Sequence, residues 1–156
     1  MSDWYARIPI FAGLEESALK LLSDQAHVRH YEPGDRVFEQ GDTGSTVYLI
    51  ESGRVNVLEK DSSGKETSLA ELPAGDFFGE MAILECSRRS AGIEVIEKAI
   101  LHELSTTSLY KLFMEAPDQY AILIVNIARD LARRLHKMDE EFIYRRAPET
   151  RLTGDR

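Results

Sequence analysis

Gly75-Asp76-Phe77-Phe78-Gly79-Glu80-Met81-Ala82-Ile83-Leu84-Glu85-Cys86-Ser87-Arg88-Arg89-Ser90-Ala91 is the stretch on which the reading of this chain turns. It interrupts a run of short β-type segments with a glycine, followed by a helix-forming run from Glu80 to Leu84. A short helix set between two strands exposes free backbone N–H groups in its first turn. Gly79 lets a ligand approach that turn closely, and the aligned donors favour an anion. Arg89 follows Glu80 by nine positions, where the chain re-enters a strand and can face the same anion. Glu80 is acceptor-only, an odd choice for phosphate alone but a suitable one for a ligand that also carries a hydroxyl, such as a ribose 2′-OH. A sugar hydroxyl held beside a phosphate describes a nucleotide. The plainer reading is a surface ion pair between Glu80 and Arg89, worth only about 0–1 kcal/mol; the glycine and the helical run argue against it.

Working outward, residues 28–104 show β punctuation. Gly34, Gly41, Gly44, Gly53, Gly64 and Gly75 recur beside Asp, Ser or Pro, as in an all-β sandwich or barrel. Val47-Tyr48-Leu49-Ile50 reads as a strand closed by a turn at Glu51-Ser52-Gly53. Val55-Asn56-Val57 pairs back on Thr67-Ser68-Leu69 across Asp61-Ser62-Ser63-Gly64. A last pair, residues 91–96 and 99–104, is joined at Glu97-Lys98. No helical crossover long enough for a parallel sheet lies between these strands.

Helical periods flank this region. Phe11, Leu14, Ala18, Leu19, Leu21 and Leu22 predict an amphipathic helix within residues 10–26. Ser105, Thr106, Thr107 and Ser108 are N-cap candidates for a short helix carrying Leu109 and Leu112. Pro117 and Asp118 suit the start of a longer helix reaching about Tyr144, with an apolar stripe of Tyr120, Ile124, Ile127, Leu131, Leu135, Met138 and Phe142. Its near-heptad spacing predicts that part of it pairs with a second copy in a parallel homodimer, the alternative being a helix packed only on its own sandwich. The expected architecture is mostly β with flanking helices. It is a jelly-roll β-sandwich or barrel with a short N-terminal helix, a phosphate-cassette helix and a long C-terminal helix. Residues 1–144 form the domain and residues 145–156 a polar tail.

Composition bounds the partners. The 156 residues are 43% apolar and 29% charged, the proportions of a folded protein. No apolar run approaches the roughly 18–20 residues that span a bilayer, so no membrane partner is expected. The first residues lack a secretory pattern, and a single cysteine, Cys86, fits a reducing, cytoplasmic compartment. With 27 acidic against 19 basic residues the net charge is −8, a poor footprint for nucleic acid, though compatible with one local phosphate. Arg133-Arg134 and Arg145-Arg146 read as solvated helix faces. His27, His30, His102 and His136 are too scattered for a metal site. A jelly-roll metalloenzyme would need clustered ligands, yet residues 41–53 contain no histidine. No nucleophile–base pair supports catalysis.

At Phe78-Gly79-Glu80-Met81-Ala82 followed by Arg89-Ser90-Ala91, the sequence resembles the cyclic nucleotide-binding domain family, which includes bacterial catabolite activators, protein kinase A regulatory subunits and cyclic nucleotide-gated channels. Tyr31-Glu32-Pro33-Gly34-Asp35, Gly41-Asp42, Tyr48-Leu49-Ile50 and Ser52-Gly53-Arg54-Val55 extend the likeness, which covers about residues 10–141. The resemblance implies that Glu80 accepts the ribose 2′-OH and that the amides of Gly79 and Ala82 help hold the cyclic phosphate, with Met81 between them. It gives Arg89 an exocyclic phosphate oxygen and Ser90 a further contact, and it places the purine by the C-terminal helix near Met138 or Asp139. The implied ligand is a cyclic nucleotide, cyclic AMP favoured over cyclic GMP. The implied role is non-catalytic sensing passed through that helix to an effector protein. Arg88 and Cys86 stand where many relatives have proline and glycine, and Met138 and Asp139 where catabolite activators carry hydroxyl residues. The chain ends about a dozen residues beyond the helix, without room for a helix-turn-helix, so direct DNA binding is not expected. The competing expectation is an interaction module that keeps the fold without its ligand.

Overall fold

The computed structural model describes residues 4–84 and 88–146. Cys86 and residues 147–156 of the tail lie outside that set. Two single 3₁₀ turns, Tyr5–Arg7 and Pro9–Phe11, lead into α1 (Glu16–Gln25), so the predicted N-terminal helix starts later than the periodicity suggested. Six strands follow: β1 (His27–Tyr31), β2 (Arg36–Phe38), β3 (Thr46–Lys60), β4 (Glu66–Pro73), β5 (Phe77–Phe78) and β6 (Gly92–Ser105). The four-residue α2 (Met81–Leu84) interrupts the sheet after β5, and α3 (Thr106–Glu115) and α4 (Pro117–Arg146) close the chain. The sheet is antiparallel with the order β1-β6-β3-β4, while β2 pairs with β6 and β5 with β3. The path does not close into a barrel.

Two expected turns are bends inside long strands. The chain does not reverse at Glu51-Ser52-Gly53 or at Glu97-Lys98, because β3 and β6 each run through those residues and pair with one another from Thr46↔Ser105 to Leu58↔Gly92. The register shifts three times between Ile50 and Val55, opposite residues 97–100. Such bulges bend both strands sharply without ending them. Gly53 has φ +87°, and a Cβ there would strike the Lys98 carbonyl and lie 2.6 Å from Ala99 Cα. The residues that resemble a turn are those that let two backbones approach at a fold line.

The bend gives the long strands two interiors. On one side Val47, Leu49, Phe77 and Leu104 pack under the helices with Tyr5, Phe11, Leu22, Leu109, Leu112, Leu123 and Ile127. On the other, Ile50, Val55, Leu72, Phe78, Ile93, Val95 and Leu101 line the inside of the roll. Neighbours Leu49 and Ile50, like Phe77 and Phe78, divide between the two as strand alternation requires.

The helices are fixed at their starts. Ser105 is the N-cap of α3, its hydroxyl accepting from Ser108 N at 3.1 Å, which contributes about 1 kcal/mol. Pro117 opens α4. Asn126 Nδ2 donates to the Ile10 and Ala12 carbonyls at 2.9 and 2.7 Å, tying the first half of α4 to the N-terminal turns. The predicted stripe of α4 therefore divides. Ile127 is buried and Tyr120, Ile124 and Leu131 pack against the helical core, whereas Leu135, Met138 and Phe142 are exposed.

Candidate functional site

A cavity of about 560 Å³ opens inside the roll between β3, β4, the β5–α2 corner and α4. Glu80 and Arg89 mark its buried end, and Glu59, Leu69, Arg88, Ser90, Leu135 and Met138 are its exposed lining residues. Gly79, Glu80, Met81, Arg88, Arg89, Ser90 and Ala91 supply one wall, and Phe38, Val57, Leu69, Leu72, Leu131, Leu135 and Met138 supply much of the rest. Leu69 is an extra residue in β4: Val57 faces Ala70 while the next residue, Leu58, faces Ser68. This bulge adds Leu69 to the cavity lining.

Gly79 is where the corner becomes possible. Its φ is +83°, and a Cβ there would sit 2.8 Å from both Arg89 Nη1 and the Thr46 carbonyl. Only glycine combines that backbone with room for the guanidinium. Arg89 is 7% exposed. Its Nη1 donates to the carbonyls of Thr46 at 3.1 Å and Gly79 at 3.3 Å, and its Cζ lies 4.2 Å from the Phe38 ring centre. Its backbone is pinned as well, Arg89 N donating to Asp42 O and Arg89 O accepting from Gly41 N, both at 2.8 Å. Burial lowers its pKa from the usual guanidinium value, opposed by Tyr48, Asp42 and Glu80. Among the described residues no carboxylate lies within ion-pair distance of it, and its buried Nε has no partner. A buried cation satisfied only by carbonyls and a ring is costly unless an anion completes it.

Glu80 is 6% exposed. Burial raises its carboxyl pKa, with Arg134 the main opposing influence. Arg134 Nη1 lies 3.5 Å from Glu80 Oε1, its Nη2 donates to Phe77 O at 3.3 Å, and its Nε is 2.7 Å from Asp130 Oδ2. The expected solvated face at Arg133-Arg134 therefore holds for Arg133, which is exposed, but not for Arg134. The helical position turns Arg134 back toward the cassette, where its Cζ stands 4.8 Å from the Phe77 ring centre. Spacing along α4 alone cannot reveal that contact, since it depends on where the β5–α2 corner lies in space.

The structure thus brings Gly79, Glu80, Met81, Arg89, Ser90 and Met138 to one cavity. Ala82 lies in α2, directly after Met81. Asp139 is exposed and is not among the residues lining the cavity. Sequence reading missed Arg134, Glu59 and the apolar walls from β3 and β4. Among the described residues no group of three or more His, Cys, Asp or Glu side chains is placed to hold a metal ion, and His102 is instead 2.6 Å from Glu51 through Nε2. No helix of the described residues is long and apolar enough to cross a membrane.

Comparison with known proteins agrees with this geometry. The family model described as "Cyclic nucleotide-binding domain" matches residues 28–116. The cyclic AMP receptor protein of Thermus thermophilus is 35% identical over 133 residues, covering 85% of this chain and 60% of that protein. The crystal structure of the Thermus thermophilus catabolite activator protein superposes with a TM-score of 0.76 at 34% identity, covering 87% of this chain and 62% of that one. A Drosophila melanogaster cGMP-dependent protein kinase, isozyme 2 forms cD5/T2, is 37% identical over 93 residues, 59% of this chain and 10% of the kinase. The matched unit is a binding and regulatory domain rather than a catalytic one, and the chain spans 60% of the length of the Thermus receptor. With more than half of its residues inside the family match and the glycine, glutamate and arginine of the cassette meeting at one cavity, this chain belongs to the cyclic nucleotide-binding domain family.

Proposed function

We propose that the chain is a non-catalytic sensor that takes a cyclic nucleotide, cyclic AMP in preference to cyclic GMP, into the cavity of the roll. The observation that carries this reading is Arg89: a guanidinium 7% exposed, without a carboxylate partner among the described residues and with an orphaned Nε. Unpartnered buried polar groups of this kind mark ligand sites. A cyclic phosphate carries one negative charge, in proportion to one arginine assisted by the amides of Gly79 and Ala82 and by Ser90. Glu80, at the same buried end, accepts the ribose 2′-OH. The base then lies against the apolar side chains of Leu72, Leu131 and Met138 rather than Asp139. The volume of about 560 Å³ falls in the range of about 300–1,000 Å³ typical of small-ligand sites. The name of the Thermus receptor favours cyclic AMP, while that of the kinase relative keeps cyclic GMP as the competitor to test.

The route outward is α4. Arg134 links this helix to Glu80, so a ligand hydroxyl on Glu80 alters the partners of Arg134 and biases the position of α4 by its differential affinity for two arrangements. Leu135, Met138 and Phe142, exposed at spacings of three and four, support a homodimer through α4 and, beyond it, an effector protein in the cytoplasm. The net charge of −8 supports a protein partner over direct DNA binding.

Thermal melting with cyclic AMP, cyclic GMP and linear 5′-AMP tests the binding claim. At about 100 times the dissociation constant the stabilisation is about 2.7 kcal/mol. For a chain of this size that is a rise of about 5–11 °C at roughly 2–4 °C per kcal/mol. No shift with either cyclic nucleotide contradicts the proposal.

A further inference from the structure

Glu59 breaks the pattern of its own strand. Along β3, Val55 and Val57 face the inside of the roll, and the next position of that phase is a carboxylate that lines the cavity. The other exposed residues lining the cavity are Leu69, Leu135 and Met138, with Arg88 and Ser90. Among the described residues the Glu59 side chain has no ion pair or hydrogen bond, while its backbone pairs with Thr67 in the β3–β4 ladder. The adjacent Lys60 is engaged elsewhere, by Glu39 at 3.4 Å and Glu66 at 3.6 Å. Glu59 is exposed, so water satisfies its carboxylate in the free protein and a ligand donor entering the cavity can take that place.

We infer that Glu59 is a specificity-determining residue that reads the base by accepting a hydrogen bond from the exocyclic 6-amino group of a purine. The inference rests on the binding reading above. With phosphate at Arg89 and ribose at Glu80, both at the buried end, the base extends toward the exposed mouth where Glu59 stands. In adenine the 6-amino group lies on the ring edge away from the glycosidic nitrogen, so it is presented outward. A carboxylate has only acceptors. It accepts from an amine at that position and repels an oxo group placed there, so a contact at the 6-substituent favours adenine. Leu69 and Met138 line the same exposed end and offer apolar surface to the base, while Glu59 supplies a charged acceptor at its edge.

The test crosses a ligand deletion with a side-chain deletion by calorimetric titration. The ligands are cyclic AMP, the cyclic monophosphate of purine riboside (hydrogen in place of the 6-amino group) and that of inosine (oxo in its place). The proteins are wild type, Glu59→Leu and Glu59→Gln. Because Glu59 is exposed, both variants fold, and melting curves check this directly. Wild type should prefer cyclic AMP about tenfold over the purine riboside compound, and should also prefer it over the inosine compound. In Glu59→Leu both preferences should fall below about twofold, with Glu59→Gln between. Preferences that persist unchanged in Glu59→Leu overturn the role of Glu59 while leaving the site intact. Failure of wild type to bind any of the three overturns the binding reading itself.

Discussion

Val47 and Leu49 send their side chains from β3 into the layer beneath the helices; Tyr48 and Ile50, one position along, look into the roll. The first interior is closed. Tyr5, Ile8, Leu22, Leu49, Leu112, Leu123 and Ile127 are each no more than 2% exposed there, and Asn126 and Gln119 find backbone partners in the N-terminal segment. The second interior is left open around about 560 Å³, with a buried carboxylate and a buried guanidinium at its end and an orphaned Nε. One strand thus serves two kinds of packing: the helical side holds the fold together, and the roll side surrounds a cavity where Arg89 Nε has no partner. The comparison predicts that substitutions on the two sides separate stability from affinity.

The largest effect is expected on the closed side. Leu123→Ala should cost about 2–5 kcal/mol by cavity formation. Urea unfolding reads that loss, and affinity for cyclic AMP measured on the folded fraction should change less than twofold. Arg89→Gln should do the reverse. Losing a charge-assisted contact of about 1.5–3 kcal/mol weakens binding roughly ten- to over a hundredfold. The urea midpoint of the ligand-free protein should stay level or rise, since an unpaired buried charge is removed. Arg89→Gln losing stability but keeping its affinity would erase the distinction between the two interiors.

A third substitution probes the open half of α4. Leu135 is 60% exposed, so Leu135→Glu should leave the stability of the chain within about 0.5 kcal/mol. If α4 pairs with a second copy, light scattering should show the mass halving from dimer to monomer. The smallest effect concerns pH. Burial raises the pKa of Glu80 in the folded protein, so the native state holds a proton over a range where the unfolded chain, near the ordinary value of about 4.3, has released it. Stability of the ligand-free protein should therefore fall as pH climbs from that ordinary value through the raised one. In Glu80→Gln this fall should be missing, seen as melting temperatures on the order of 2 °C higher than wild type at neutral pH and level with it in acid.

How much of this was legible in the sequence follows from the range of the interactions involved. Ser105 capping α3, Pro117 opening α4 and the β3–β4 hairpin are set by neighbours within a few residues, and the expected features are present. The cassette was legible for the same reason, since Gly79, Glu80 and Arg89 lie within one short segment. Strand counting failed at Ser52-Gly53 and Glu97-Lys98. A bend between two long strands uses the same residue types as a turn, and only the pairing of β3 with β6 tells them apart. Arg134 and Glu59 were missed because their meaning depends on positions 54 and 21 residues from Glu80, joined to it only by the fold. Within α4, the heptad-like stripe was visible, but its division into a packed first half and an exposed second half depends on where the N-terminal turns stop.

The most direct measurement is calorimetric titration of the wild-type chain with cyclic AMP and with linear 5′-AMP, repeated on Arg89→Gln. The account predicts one site per chain for the cyclic compound, markedly weaker binding of the linear dianion, and at least a tenfold loss for cyclic AMP in the variant. Equal affinity of wild type and Arg89→Gln, or no binding of a cyclic nucleotide by the wild-type protein, would contradict it.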